Sequence, residues 1–123
     1  MRALVIDDSR AMRMILSRTL TNLGFEVQQA EHGEKALEVM RSGELPDVCL
    51  IDWNMPVMNG LEFIVEVRKQ REWRQVTLMM VTTESETSQI VRALAAGAHE
   101  YVLKPFTPEA IADKLSMLGL VGV

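Results

Sequence analysis

The chain has 123 residues, 48% of them hydrophobic and 24% charged, with a formal net charge of −4. This is the profile of one globular domain long enough to bury a core unaided, and the acidic balance argues against a phosphate-binding footprint of clustered Lys and Arg. Cys49 is the only cysteine, which excludes a disulfide framework and a cysteine-based zinc site. It lies within an apolar run and reads as a small buried residue.

The N-terminal run 3–6 is apolar and of strand length. After Asp7 and Asp8, Met12, Ile15, Leu16, Thr19, Leu20 and Leu23 recur at helical spacing, with Ser9 placed to cap the start and Gly24 just past the end. Arg10, Arg13 and Arg18 read as a solvated helix face. Residues 25–30 form a second strand. Ala36, Leu37 and Met40 mark a second helix, closed by Ser42 and Gly43 and stopped by Pro46. The run 48–51 is a third strand. Asn59 and Glu62 have the spacing of a capping box that opens a third helix through Leu61, Ile64, Val65 and Arg68. Residues 76–81 are a fourth strand, followed by a polar loop over 82–87. Ile90, Val91, Leu94 and Ala95 mark a fourth helix and 101–103 a short fifth strand. Thr107 and Pro108 open a fifth helix carrying Ile111, Leu115 and Leu118. Residues 119–123 read as a frayed tail. No apolar run approaches the length of a membrane span, and MRALVIDD is too short for a signal peptide, so we expect a cytoplasmic, reducing setting.

Strands and helices alternate five times, and runs such as 3–6 and 48–51 are continuously apolar. Both features suit a parallel sheet covered on both faces, a three-layer, doubly wound α/β domain. In such a sheet all C-terminal strand ends meet one edge, where ligands bind. Here the ends read Ile6-Asp7-Asp8, Ile51-Asp52, Val81-Thr82 and Leu103-Lys104-Pro105. With strands about 4.8 Å apart, these head groups can surround one pocket.

Carboxylates packed this closely either take up a proton or hold a cation between them. The available ligands are oxygens, with no His or Cys at these ends. That selects a hard ion such as Mg²⁺, with Mn²⁺ as a substitute. A metal on one side and the Lys104 ammonium on the other suit an anion with several oxygens, such as a phosphoryl group, and Thr82 adds a hydroxyl donor. The acid nearest the middle can then act as nucleophile and form an aspartyl phosphate.

The segments VIDDS, IDWNMPVMNG, VTTE and YVLKPF, in this order and spacing, resemble the receiver domains of bacterial two-component response regulators. The likeness covers essentially the whole chain and is nearest to the stand-alone chemotaxis type. It implies a flavodoxin-like (βα)5 fold with strand order 2-1-3-4-5, and a single receiver domain over 1–123 without an output domain. It implies Asp52 as phosphoacceptor, Asp8 as direct Mg²⁺ ligand and Asp7 as a ligand through water, with the backbone carbonyl of Asn54 completing the protein's share. Lys104 would bind a phosphoryl oxygen, and the Lys104–Pro105 bond would be cis. Thr82 and Tyr101 resemble the switch pair that reshapes the surface of the fourth helix, fifth strand and fifth helix. Asn54, Thr83 and Glu84 would modulate access. The implied partners are a sensor histidine kinase or histidine phosphotransfer protein and a downstream protein target. No direct contact with nucleic acid or membrane is expected, and the chain is expected to be a monomer. A role as a phosphorelay shuttle fits the same residues, as, less well, does a non-phosphorylated interaction module.

Other classes fit worse. A flavin carrier needs a phosphate cradle where Asp7 and Asp8 would repel the phosphate. Aspartate-based phosphatases place a second acid where Asn54 stands. His32 and His99 read as solvated or structural, and the nine methionines as pliable core filler. Two departures from the family pattern stand out. The segment ESETSQ is acidic where chemotaxis members are basic, which changes the partner it complements. Thr83 is branched where the family has Ala or Gly. It should narrow the entrance, so Thr83→Ala is expected to speed both phosphorylation and hydrolysis of the phosphoprotein. Equal rates in a stopped-flow comparison with the parent would refute this.

Overall fold

The computed structural model describes residues 1–83 and 87–120. The elements run β1 (Arg2–Ile6), α1 (Arg10–Asn22), β2 (Glu26–Ala30), α2 (Gly33–Arg41), β3 (Val48–Asp52), α3 (Gly60–Lys69), a 3-10 turn (Arg71–Trp73), β4 (Thr77–Thr83), α4 (Thr87–Ala96), β5 (Glu100–Lys104) and α5 (Pro108–Met117). The five strands form one parallel sheet in the order β2-β1-β3-β4-β5. The order reverses between β1 and β3, which opens a crevice at their carboxyl ends.

Alternate residues of each strand feed two cores, as the pleat requires. Leu4, Ile6, Cys49, Ile51, Leu78 and Met80 share one cluster with Ala36, Leu37, Phe63, Ile64, Val67 and Ala93, so α2, α3 and α4 cover that face. Ala3, Val5, Leu50, Met79, Val81 and Val102 pack with Leu16, Leu20, Ile111 and Leu115 of α1 and α5. Burial pushes the Cys49 thiol above its ordinary range. Among the described residues no helix is long and apolar enough to cross a membrane.

Local signals explain the helix ends. The Ser9, Asn59 and Thr107 side chains accept from the N–H groups of Met12, Glu62 and Ala110, and Asn59 and Glu62 form the full capping box.

The structure corrects several expectations. Thr82 and Thr83 belong to β4, in register with Leu103 and Lys104, and not to a loop. Their β-branched side chains suit the pleat as well as Val does. Glu84 lies outside the described residues. The α4 face is narrower than its apolar pattern: Ile90 and Ala93 are buried, whereas Val91 and Leu94 are exposed, as are Ile15 of α1 and Val65 of α3. Gly119 and Leu120 are not frayed. Leu120 N–H donates to Leu115 O at 2.8 Å and Gly119 N–H to Ser116 O at 3.0 Å, with Gly119 at φ +74, a Schellman cap that seats Leu120 against the core. Residues 121–123 lie outside the described residues. Most methionines lie in or against the core, but Met1, Met14 and Met117 are exposed.

At the amino edge of the sheet, Arg68 ties four segments together. Its guanidinium donates to the carbonyls of Gly97 (3.1 Å), Trp73 (3.4 Å), Arg74 (3.3 Å) and Val76 (3.0 Å). It also approaches His99 Nδ1 at 3.3 Å, and that nitrogen accepts the Leu78 N–H at 3.1 Å. Nδ1 therefore carries no proton and the ring is neutral. Burial, then the Arg68 charge, hold the His99 pKa below its ordinary 6.5. The unfolded chain consequently binds the proton first. This contribution to stability is complete above pH 6.5 and is lost as the pH falls below it. Urea unfolding at pH 7.5 and pH 5.5 should show a larger loss of stability on acidification in the parent than in His99→Gln; equal losses would refute the assignment.

Candidate functional site

The carboxyl edge gathers the acids. β1 is buried up to Ile6, and Asp7, the next residue, is 1% exposed although ionisable. β3 is buried along its whole length and ends in Asp52, 8% exposed. Asp8 turns to solvent. One carboxylate oxygen from each of Asp7, Asp8 and Asp52 lies within 4.8 Å of the other two. Lys104, at the end of β5, reaches into this cluster: Nζ donates to Asp52 Oδ1 at 3.2 Å and stands 3.5 Å from Asp7 Oδ2. Thr82, one strand away on β4, is 1% exposed. The sequence-selected residues Asp7, Asp8, Asp52 and Lys104 thus meet in one place, with Thr82 at the same edge.

The surrounding backbone fixes these groups. Ser9 N–H donates to Asp7 Oδ1 at 2.8 Å, and Arg13 Nη1 donates to Asp7 O at 2.6 Å. The β3–α3 connection folds back over Asp52. Gly60, the first residue of α3, bonds Trp53 O through its N–H at 3.0 Å. A Cβ on Gly60 would stand 2.8 Å from Asp52 O and 3.1 Å from Trp53 Cα, both backbone atoms with no freedom to yield. Val57, in the same connection, has φ +71, and Met58 N–H reaches Pro56 O at 2.7 Å. This three-residue γ-turn is strained for a β-branched residue. Asn54 is exposed on this connection, and the Lys104–Pro105 peptide bond is cis. Gly60 was not singled out from the sequence, and Arg13, read there as part of a solvated helix face, is instead half-buried and bonded to the Asp7 carbonyl. A glycine directly after the Asn59 cap was the available signal for the first, whereas Arg13, flanked by Arg10 and Arg18, gave none.

Tyr101, the switch candidate, is half-buried on β5, packed against the core on the α2–α4 face of the sheet. The ammonium of Lys114 stands 5.1 Å from its ring centroid and pairs with Glu100 Oε1 at 3.2 Å. Among the described residues neither histidine joins the cluster of acids. His32 caps α2, its Nδ1 accepting the Lys35 N–H at 3.2 Å, and His99 is held at the opposite edge.

Three carboxylates against one ammonium leave a formal charge of −2 when all are ionised. Burial raises the Asp52 pKa from its ordinary 3.8 to about 6, with Asp7 and then Asp8 adding to the shift and Lys104 opposing it. Asp7 Oδ2 is buried without a hydrogen bond. An orphaned anionic oxygen beside two further carboxylates suits a hard divalent cation. Oxygens on one octahedral ion with bonds of about 2.1 Å lie about 3.0–4.2 Å apart, close to the separation found here. Asp8 and Asp52 offer free oxygen positions, and Asp7 is held more deeply.

Fold and site together define a doubly wound α/β protein with an acidic cluster at its carboxyl edge that could hold a metal ion. The family model for the response regulator receiver domain matches residues 3–116, and the chain belongs to that family. It is 44% identical over 116 residues to a chemotaxis protein CheY homolog of Campylobacter jejuni, covering 94% of this chain and 89% of that protein. It is 41% identical over 119 residues to chemotaxis protein CheY1 of Helicobacter pylori, covering 96% of each. Among solved structures, the chemotaxis response regulator CheY4 of Vibrio cholerae superposes with a TM-score of 0.86 at 36% identity, over 95% of this chain and 97% of that one.

The elevated Asp52 pKa has two consequences of definite sign. Without metal, folding becomes less favourable as the pH rises from 3.8 toward 6, because the folded state holds the proton more tightly. A cation must displace that proton below about pH 6. The apparent Mg²⁺ affinity should therefore be flat above pH 7 and fall about tenfold per unit well below 6. A calorimetric titration showing no decline down to pH 5 would contradict this.

Proposed function

We propose that this receiver domain is the phosphorylation switch of a chemotaxis pathway, with Asp52 as phosphoacceptor. The observation that carries the reading is the convergence of Asp7, Asp8, Asp52 and Lys104 from three separate strand ends on one small space. The names of the relatives support the pathway.

The donor is a phosphohistidine on a sensor kinase or phosphotransfer protein. An Asp52 carboxylate oxygen attacks the phosphorus, and the P–N bond breaks. The imidazole nitrogen leaves with the electron pair and takes up a proton. Asp52 begins bonded to Lys104 at 3.2 Å, so the ammonium is already beside the nucleophile and can pass to a phosphoryl oxygen once that oxygen arrives. Asp8, Asp52 and the Asn54 carbonyl would hold Mg²⁺, with Asp7 acting through water. When bound, the ion supplies the charge that offsets the phosphoryl oxygens. Water entering the same space hydrolyses the acyl phosphate and resets the switch.

Phosphorylation places up to about two more negative charges at the edge. Thr82, on the strand between Asp52 and β5, is drawn to the phosphoryl oxygens, and Tyr101 responds through the core it packs against. The surface that changes is made by α4, β5 and α5. It already carries apolar character: Val91, Leu94 and Leu103 are exposed, and a groove of about 380 Å³ lies along Tyr101, Leu103, Phe106 and Lys114. A downstream protein reads this surface.

Incubation with acetyl phosphate and Mg²⁺ should add one phosphoryl group to the intact mass of the parent and none to Asp52→Asn. Retention of the label in that variant would move the acceptor elsewhere.

A further inference from the structure

We propose that Arg13 is a positioning residue of the acidic site: it holds the peptide joining Asp7 to Asp8 and so sets the angle at which both carboxylates enter the cation-binding space. The inference rests on the phosphoacceptor reading and concerns how this chain builds that site.

The sheet stops supporting β1 just where the acids begin. Ile6 is the last residue of the ladder, paired with Ala30 on one side and Ile51 on the other. Asp7 N–H still donates to Ala30 O at 3.1 Å. Its carbonyl, one atom further on, needs a donor from outside the sheet. Arg13 supplies it from the second turn of α1, at 2.6 Å. The elbow between strand and helix is then held at three points. Ser9 N–H bonds the Asp7 carboxylate at 2.8 Å. The Ser9 hydroxyl caps α1 through Met12 N–H at 3.2 Å. Arg13, whose own N–H bonds Ser9 O at 2.9 Å, closes the loop back onto the strand. Removing the guanidinium frees the one peptide plane shared by a buried acid and an exposed one.

The charge of Arg13 is spent on backbone. Among the described residues it forms no ion pair with Asp7 or Asp8, and it is half-buried where Arg10 and Arg18 are exposed. This separates two roles by sign. A cation acting only through its field repels a divalent ion, so removing it would tighten Mg²⁺ binding. A cation acting through the peptide it holds gives the opposite result.

The test uses Trp53 fluorescence to follow Mg²⁺ binding, in a Trp73→Phe background that leaves one reporter. Arg13→Met should weaken Mg²⁺ about tenfold or more, as loss of an outer-shell support does, and Arg13→Lys, which keeps the charge without the planar fork, should also bind more weakly than the parent. Unchanged or tighter binding in Arg13→Met overturns the proposal; if that variant does not fold, Arg13→Lys is judged by the same criterion. A second readout needs no metal. Amide exchange at Asp8 and Ser9 should quicken in the variant while exchange at Leu50 in the core does not, and unaltered exchange at all three overturns the proposal. Failure of the parent to bind Mg²⁺ would instead remove the site reading, and the exchange experiment would still decide whether Arg13 holds the peptide.

Discussion

Three carboxylates share a space with one ammonium, and most of what is particular to this protein follows from keeping them there. Like charges within 4.8 Å of one another repel strongly where water is scarce. The chain could relieve that repulsion by letting all three acids swing into solvent, but only Asp8 faces it and Asp7 and Asp52 stay buried. Asp7 is fixed by Ser9 N–H and held close to Lys104, Asp52 is the last residue of a wholly buried strand, and Lys104 is anchored at the end of β5. The repulsion is therefore retained in the fold. Burial first, and then that repulsion, raise the Asp52 pKa, and Asp7 Oδ2 is left without a hydrogen bond. An acidic cluster in this condition could hold a metal ion.

The sheet makes this possible. Parallel strands bring distant segments of chain to one edge, and two cores clamp the sheet from both faces, so the acids cannot retreat without disturbing packing. The connections at that edge are correspondingly tight. Gly60 lets α3 begin against the Asp52 carbonyl, and the γ-turn at Val57 bends the chain sharply enough to reach it. The strain at Val57 lies in the connection that leaves Asp52, next to the acidic cluster, as is common where a fold serves a site.

Much of this was legible in the sequence because chemistry and burial change together at strand ends. Runs such as 3–6 and 48–51 are uninterrupted by polar residues, so the abrupt arrival of Asp7 and Asp52 stands out. The strand order was not legible from spacing and came through the resemblance to receiver domains. The reach of β4 was misjudged because Thr82 and Thr83 are polar in composition but β-branched in shape. The α4 stripe was misjudged because Val91 and Leu94 follow helical spacing yet face solvent. Arg13 and Arg68 left no trace, since their partners are backbone carbonyls, and a carbonyl has no sequence signature. The 3-10 turn at Arg71–Trp73 was missed for lack of any periodic signal in three residues.

The central claim is that the acids at the carboxyl edge form one cation-binding centre beside Lys104. Its most direct test is a crystal of the protein soaked in Mn²⁺ and examined by anomalous diffraction. The account predicts a single strong peak bonded by oxygens of Asp8 and Asp52, with Lys104 on the far side of Asp52. A well-ordered crystal with no peak there, or with Mn²⁺ bound only elsewhere on the surface, would contradict it.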